Sequence, residues 1–124
     1  MKSIIAIIRI AKMAETKSAL SDAGLPSFTA IPVLGRGRDH GDKQKAAQMG
    51  IEDDDLKSFI QESPRLKSKR MIILVVSDDK KDLAVETLIK VNQTGKSGDG
   101  KIIITNTIDS VNVRTGDNGD KTLD

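Results

Sequence analysis

The runs Ile4-Ile5-Ala6-Ile7-Ile8 and Met71-Ile72-Ile73-Leu74-Val75-Val76 are apolar at consecutive positions. Successive side chains of a β-strand point to opposite faces, so such a run offers no polar face to water. Neither run approaches the ~20 apolar residues of a membrane-spanning helix. Arg9 ends the first, and no small-residue cleavage site of a secretory leader follows it. Each run is expected to be a strand buried on both sides. Whatever fold this chain adopts must cover two faces of its central strands.

Four strands and two helices can be read around these runs. Residues 3–10 are the first strand. Residues 11–23 follow as a helix with Met13, Leu20 and Ala23 on one face, closed by Gly24 and kept closed by Pro26. Residues 27–35 form a second strand, and Pro32 inside it demands an edge position or a bulge. Residues 69–76 are the third strand. Ser77, Asp78 and Asp79 are expected to cap the second helix, in which Leu83, Ala84, Leu88 and Val91 recur at helical spacing through residue 92, with Gly95 as the stop. Residues 101–108 are the fourth strand, with a short extended piece from Val111 to Arg114. The order is βαββαβ, the signature of an α+β, ferredoxin-like sandwich with an antiparallel sheet.

Two helices cover only one face of a four-stranded sheet. Another subunit is the economical cover for the second face; a long surface loop folding back is the alternative. At 124 residues the chain suits one domain with one core, residues 1–114, followed by a polar tail, 115–124, expected to be flexible. A net charge of +2, with basic and acidic residues mixed along the chain, calls for neither nucleic acid nor a membrane as partner. The absence of cysteine removes disulfides and thiolate chemistry and agrees with a reducing, cytoplasmic setting. His40 is the sole histidine, so no multi-histidine metal site exists.

Two segments stand out as functional candidates. The stretch 36–67 between the second and third strands is too long for an ordinary connection; its middle, Ile51 to Ile60, is expected to form a short helix with Asp53, Asp54 and Asp55 near its start. The connection Thr94-Gly95-Lys96-Ser97-Gly98-Asp99-Gly100-Lys101 carries three glycines and two lysines. Glycines let backbone amides approach a ligand, and successive amides form an anion nest, which suits a polyphosphate. It is not a Walker A loop, because the spacing differs and a strand follows. Arg36 and Arg38 at the mouth of the long stretch, and Arg114 after the fourth strand, can add cations across a subunit boundary. His40 has no orienting carboxylate or serine motif beside it, so nucleophilic catalysis is unsupported.

With these residues in hand, the sequence resembles the PII signal-transduction family. The motifs are TGKSGDGKI at 94–102, similar to the family's B-loop; Arg114-Thr115-Gly116; Gly35-Arg36-Gly37-Arg38, similar to the start of its T-loop; and the opening IIAIIR. LGRG (34–37), KRMIILVV (69–76) and KVNQTG (90–95) resemble most the nitrogenase-associated branch, its second member in particular, which works beside a sister PII-like subunit. The resemblance implies a homotrimer, or an assembly with a sister subunit, that binds ATP in its intersubunit clefts, with 2-oxoglutarate held through Mg2+. It assigns Thr29, Gly37, Arg38, Gly98, Asp99, Gly100, Lys101 and Arg114 to ATP, Asp39 and Lys69 to 2-oxoglutarate, and Asp39 to the metal.

This sequence departs from the family pattern at four positions. Asn112 stands for an arginine, Asp39 for a glutamine, His40 for a lysine and Ile73 for a glutamate. An anion at Asp39 helps hold magnesium but repels a dicarboxylate. There is no tyrosine, which excludes tyrosyl uridylylation or adenylylation. The expected function is that of a regulator, not an enzyme, acting on a target such as a nitrogenase component through residues 36–67. The alternatives are regulation of an ammonium transporter or a biosynthetic enzyme, a ferredoxin-like phosphotransferase or ATPase, and a structural subunit that has lost its ligands.

Overall fold

The computed structural model describes residues 1–37 and 66–124. Arg38, Asp39 and His40, and the helix expected over Ile51 to Ile60, lie outside the described residues. β1 (Lys2–Arg9) leads through a 3-10 turn, Ile10–Lys12, into α1 (Met13–Asp22). β2 (Thr29–Gly35) and β3 (Lys67–Val76) follow, then a second 3-10 turn, Asp78–Lys80, and α2 (Lys81–Asn92). β4 (Lys101–Asn106) completes one antiparallel sheet in the order β2-β3-β1-β4. This is the expected ferredoxin-like sandwich, with the two apolar runs as its central pair. β2 lies at the edge, where a residue without an amide hydrogen is tolerated, and its register with β3 runs through Pro32 opposite Arg70.

The register sorts the strands by residue parity. Ile4, Ala6 and Ile8 of β1 and Ile72, Leu74 and Val76 of β3 are all buried, at most 2% exposed, and meet Leu20, Leu25, Ala84 and Leu88 from the helical layer. Burying an aliphatic side chain of this size contributes roughly 1.5–3 kcal/mol, so this layer dominates the domain's stability. The odd-numbered positions form the other face. There Ile5, Ile7, Met71, Ile73 and Val75 are only half-buried, and Ile31 and Ile103 are 40% and 41% exposed. Both helices pack together and serve the first face, so the second apolar face foreseen from the sequence stays half-open in the single chain.

One polar contact crosses the helical layer. Asn92 at the end of α2 donates from Nδ2 to Thr16 Oγ1 of α1 at 3.1 Å and to Leu88 O at 3.0 Å. Its Oδ1 is buried and has no partner among the described residues.

Several local expectations need correction. Ser77 makes no side-chain capping bond; Asp78 takes the N-terminal ammonium at 3.0 Å instead. β3 begins at Lys67, because Lys67 and Ser68 pair with Gly35 and Leu34. β4 ends at Asn106, opposite Lys2, where β1 runs out of partners. The extended piece at Val111–Arg114 is a single bridge, Val111 to Asn118, closing a turn bonded from Gly116 N to Asn112 O at 2.8 Å. Residues 115–124, read as a polar tail, carry polar contacts in place of apolar ones. Asp109 accepts from Ser110 N, Gly119 N and Asn118 Nδ2, and Asp124 accepts from Ser27 N and Ser27 Oγ, while Lys80 Nζ donates to its backbone oxygen.

Candidate functional site

The glycine-rich connection leaves α2 at Asn92 and returns into β4 at Lys101, beside the ends of β1 and β2 and the start of β3. Its shape comes from one carboxylate. Asp99 Oδ2 accepts from Thr94 N at 2.8 Å and Gly95 N at 3.0 Å, and Oδ1 accepts from Thr94 Oγ1 at 2.5 Å. Arg9, the last residue of β1, closes the set with Nη1 to Asp99 Oδ1 at 2.5 Å and Nη2 to Ser97 O at 2.7 Å. The Thr94 hydroxyl and amide, then Arg9 and the Gly95 amide, hold the Asp99 carboxyl well below the usual carboxylate range.

A second cation reaches the same loop. Lys69, the register partner of Arg9, donates from Nζ to Gly98 O at 2.8 Å. Partial burial lowers its pKa, reinforced by Arg9 and Lys67 and opposed by Asp99. The two strand-end cations thus take hold of Ser97, Gly98 and Asp99 in turn.

Planar trans peptides put C=O and N–H on opposite sides. With the carbonyls of Ser97 and Gly98 drawn toward Arg9 and Lys69, the N–H groups of Gly98 and Asp99 face away from them. Neither amide has a backbone acceptor among the described turn and loop bonds. Gly98 sits at φ +95° and Gly100 at φ +107°, conformations that side chains other than glycine's rarely adopt. A Cβ on Gly100 would stand 1.8 Å from Ile7 O, so the loop's return into β4 presses directly on β1. The arrangement is a pre-shaped turn with outward amides and nearby positive charge, which suits an anion.

Parity places other expected residues on the same, helix-free side. Thr29, Lys69 and Lys101 stand opposite Ile73, Arg9 and Ile7, all odd-numbered positions. Gly37 follows the end of β2, which pairs with the start of β3 at the loop's end of the sheet. Arg114 is not brought to the loop by its own chain: it lies on the segment leaving the opposite end of β4, near Lys2. Among the described residues no cluster of three or more acidic or histidine side chains is placed to hold a metal. The residue that sequence reasoning missed is Arg9, read only as the end of an apolar run. Its signal was a cation at an odd position of that run, on the face with no helix.

The chain is thus a ferredoxin-like sandwich with a glycine loop whose outward amides suit an anion at one sheet end and an apolar, half-open second face. Comparisons specify it further. Residues 1–117 match the family described as "Nitrogen regulatory protein P-II". A "Nitrogen fixation nifHD region glnB-like protein 2" from Methanococcus maripaludis is 43% identical, over 99% of this chain and all of that protein. A protein of the same description from Methanothermobacter marburgensis is 41% identical, over 99% of this chain and 100% of its own length. A "Nitrogen regulatory protein P-II 2" from Methanothermobacter thermautotrophicus is 41% identical, over 99% of this chain and 97% of its own. The chain belongs to the P-II family of nitrogen regulatory proteins. None of its described helices is long and apolar enough to cross a membrane.

Proposed function

We propose that this chain is a cytoplasmic, non-enzymatic P-II regulator that binds Mg-ATP in clefts between three subunits and acts on a target through residues 36–67. The observation that carries the reading is the clasped loop, whose Gly98 and Asp99 amides have no backbone acceptor among the described residues and are turned away from Arg9 and Lys69. An ATP phosphate chain would take those amides and the Lys101 ammonium, with Gly37 and Arg38 closing from the mouth of the 36–67 stretch. Asp99 would contribute its amide, since its carboxylate is engaged by Thr94, Gly95 and Arg9. Thr29 would approach from the same face, and Arg114 would come from a neighbouring subunit, because its own chain carries it away from the loop. The half-open face bearing Ile5, Ile7, Met71, Ile73 and Val75 supports such an assembly, as a copy or a sister subunit covering it would remove that apolar surface from water.

Magnesium would be held by the phosphates and Asp39. The ion would neutralise charge between phosphate and carboxylate. For 2-oxoglutarate the residue in reach is Lys69: an ammonium has three donors, and the bond to Gly98 O uses one. Regulation follows if ATP binds one arrangement of residues 36–67 better than another, because a ligand shifts a population only by its difference in affinity. The nifHD-region descriptions of the relatives favour a nitrogenase component as target over an ammonium transporter or a biosynthetic enzyme.

Calorimetric titration with Mg-ATP, with and without 2-oxoglutarate, tests the reading. Saturable ATP binding, weakened by Lys101→Ala, is expected. Binding strengthened by 2-oxoglutarate marks a nitrogen-status sensor; indifference marks an energy sensor and points to Asp39. No binding refutes the ATP reading for this chain alone, and steady phosphate release abolished by Lys101→Ala would replace it with an ATPase.

A further inference from the structure

We infer that Arg9 is a positioning residue for the nucleotide loop, setting the peptide planes of residues 97–99 so that the Gly98 and Asp99 amides face the ligand. The inference deepens the ATP reading above and rests on it for the identity of the ligand, though not for the geometry.

The guanidinium is a planar fork with donors on different nitrogens. Here Nη1 holds the Asp99 carboxylate and Nη2 holds the Ser97 carbonyl, at 2.5 and 2.7 Å. One rigid group therefore fixes the separation of a backbone oxygen and a side-chain oxygen two residues apart. Between them, the ideal Cβ position of Gly98 falls 3.2 Å from Arg9 Nη2 and 3.7 Å from Lys69 Nζ. The loop crosses the strand ends so closely that a side chain at residue 98 would press on the Arg9 guanidinium. Asp99 passes the restraint on, because its other contacts are the Thr94 hydroxyl and the Thr94 and Gly95 amides at the start of the loop. Arg9 thus ties both ends of the turn to β1, and β1 is pinned on both sides by β3 and β4. A lysine at this position would keep the charge but present a compact ammonium in place of the fork.

Arg9 need not touch the ligand to matter. Its donors point at oxygens that would otherwise be free to swing into the nest, where a carbonyl would repel phosphate. Holding these oxygens back removes an ordering cost at the moment of binding.

The test uses the full-length protein and four variants: Arg9→Met, Arg9→Lys, Asp99→Asn and the Arg9→Met/Asp99→Asn double. Far-UV circular dichroism checks folding. Amide exchange at Thr94 and Gly95, read by NMR without ligand, reports the loop, and calorimetry reports Mg-ATP. In Arg9→Met, exchange at both amides is expected to quicken and ATP binding to weaken by about tenfold or more, as for loss of a charge-assisted bond. Arg9→Lys should recover only a minor part of either loss. The double variant should be little worse than the worse single, since both act through one contact.

Unchanged exchange in Arg9→Met would overturn the inference. So would full rescue by Arg9→Lys, which would leave only a role for charge, or additive losses in the double variant. If the wild-type protein binds no Mg-ATP, the nucleotide reading fails by itself. The exchange rates of Arg9→Met and Arg9→Lys then still decide whether Arg9 sets the loop.

Discussion

Replacing Gly100 by alanine should be among the most damaging single-methyl changes in this chain. Its φ of +107° lies where an L side chain is strained, which costs ~1–3 kcal/mol on its own. The added Cβ would also stand 1.8 Å from Ile7 O, against 3.4 Å or more for ordinary contact. The atom in the way is backbone, so it cannot rotate aside. Relief requires β1 and the start of β4 to part beside the Ile7–Lys101 pair, with loss of one or two ladder bonds at ~1 kcal/mol each. Together these give a destabilisation of about 2–5 kcal/mol, a large share of the ~5–15 kcal/mol that holds a domain folded.

Gly24→Ala is the matched control. Its φ of +80° is strained, but nothing lies within 4 Å, so ~1–2 kcal/mol is expected. Urea unfolding followed by far-UV circular dichroism is the suitable assay, because the chain has no tryptophan or tyrosine to report by fluorescence. All variants must be compared at one protomer concentration, since assembly would add to apparent stability. If Gly100→Ala costs no more than Gly24→Ala, the close approach of the loop to β1 is wrong.

Two further outcomes follow from polar groups. Asp99 has its folded-state pKa depressed, first by Thr94 and then by Arg9 and Gly95, so its stabilisation is present above the unfolded carboxylate value of about 3.9 and is lost as pH falls through the lower folded value. The urea midpoint of wild type should therefore exceed that of Asp99→Asn by a constant margin from pH 7 to about 5, and the margin should shrink below about pH 4; a margin that grows on acidification would contradict the contact set. Asn92→Leu should cost no more than about 1 kcal/mol, because it removes a buried Oδ1 with no partner among the described residues along with the two bonds from Nδ2. A loss above about 2 kcal/mol in the same urea assay would show that Oδ1 has a partner such as an ordered water.

Much of the fold was legible because β1 and β3 each carry a run of consecutive apolar residues, 4–8 and 71–76, which leaves no reading but a central pair. Pro32 likewise announced an edge, and β2 is one. Boundaries were harder, since they depend on partners that local pattern does not contain. Lys67 and Ser68 look like loop, yet they extend β3 because Leu34 and Gly35 lie opposite. Thr107 and Ile108 look like strand, yet β4 stops where β1 begins. The order of residues 109–124 was hidden for another reason: it rests on carboxylates meeting amides distant in sequence, and composition alone does not reveal where an aspartate will find its donors.

The glycine loop was visible as a candidate from its three glycines and two lysines, but its internal logic was not. Asp99 looked like a member of the phosphate set and spends its carboxylate on Thr94, Gly95 and Arg9. Arg9 could be recognised only after the register placed it beside Lys69, since the two are 60 positions apart.

The two rims of the sheet are unequal. The β2 rim carries a proline, which has no hydrogen to offer an incoming strand, whereas the β4 rim has none. Strand-by-strand growth, the route by which unprotected sheets polymerise, would have to pass through both rims of every copy. Association through the broad apolar face carries no such requirement and can close on itself after a few copies. The proline in β2 therefore leaves one rim of the sheet poorly suited to edge-to-edge growth.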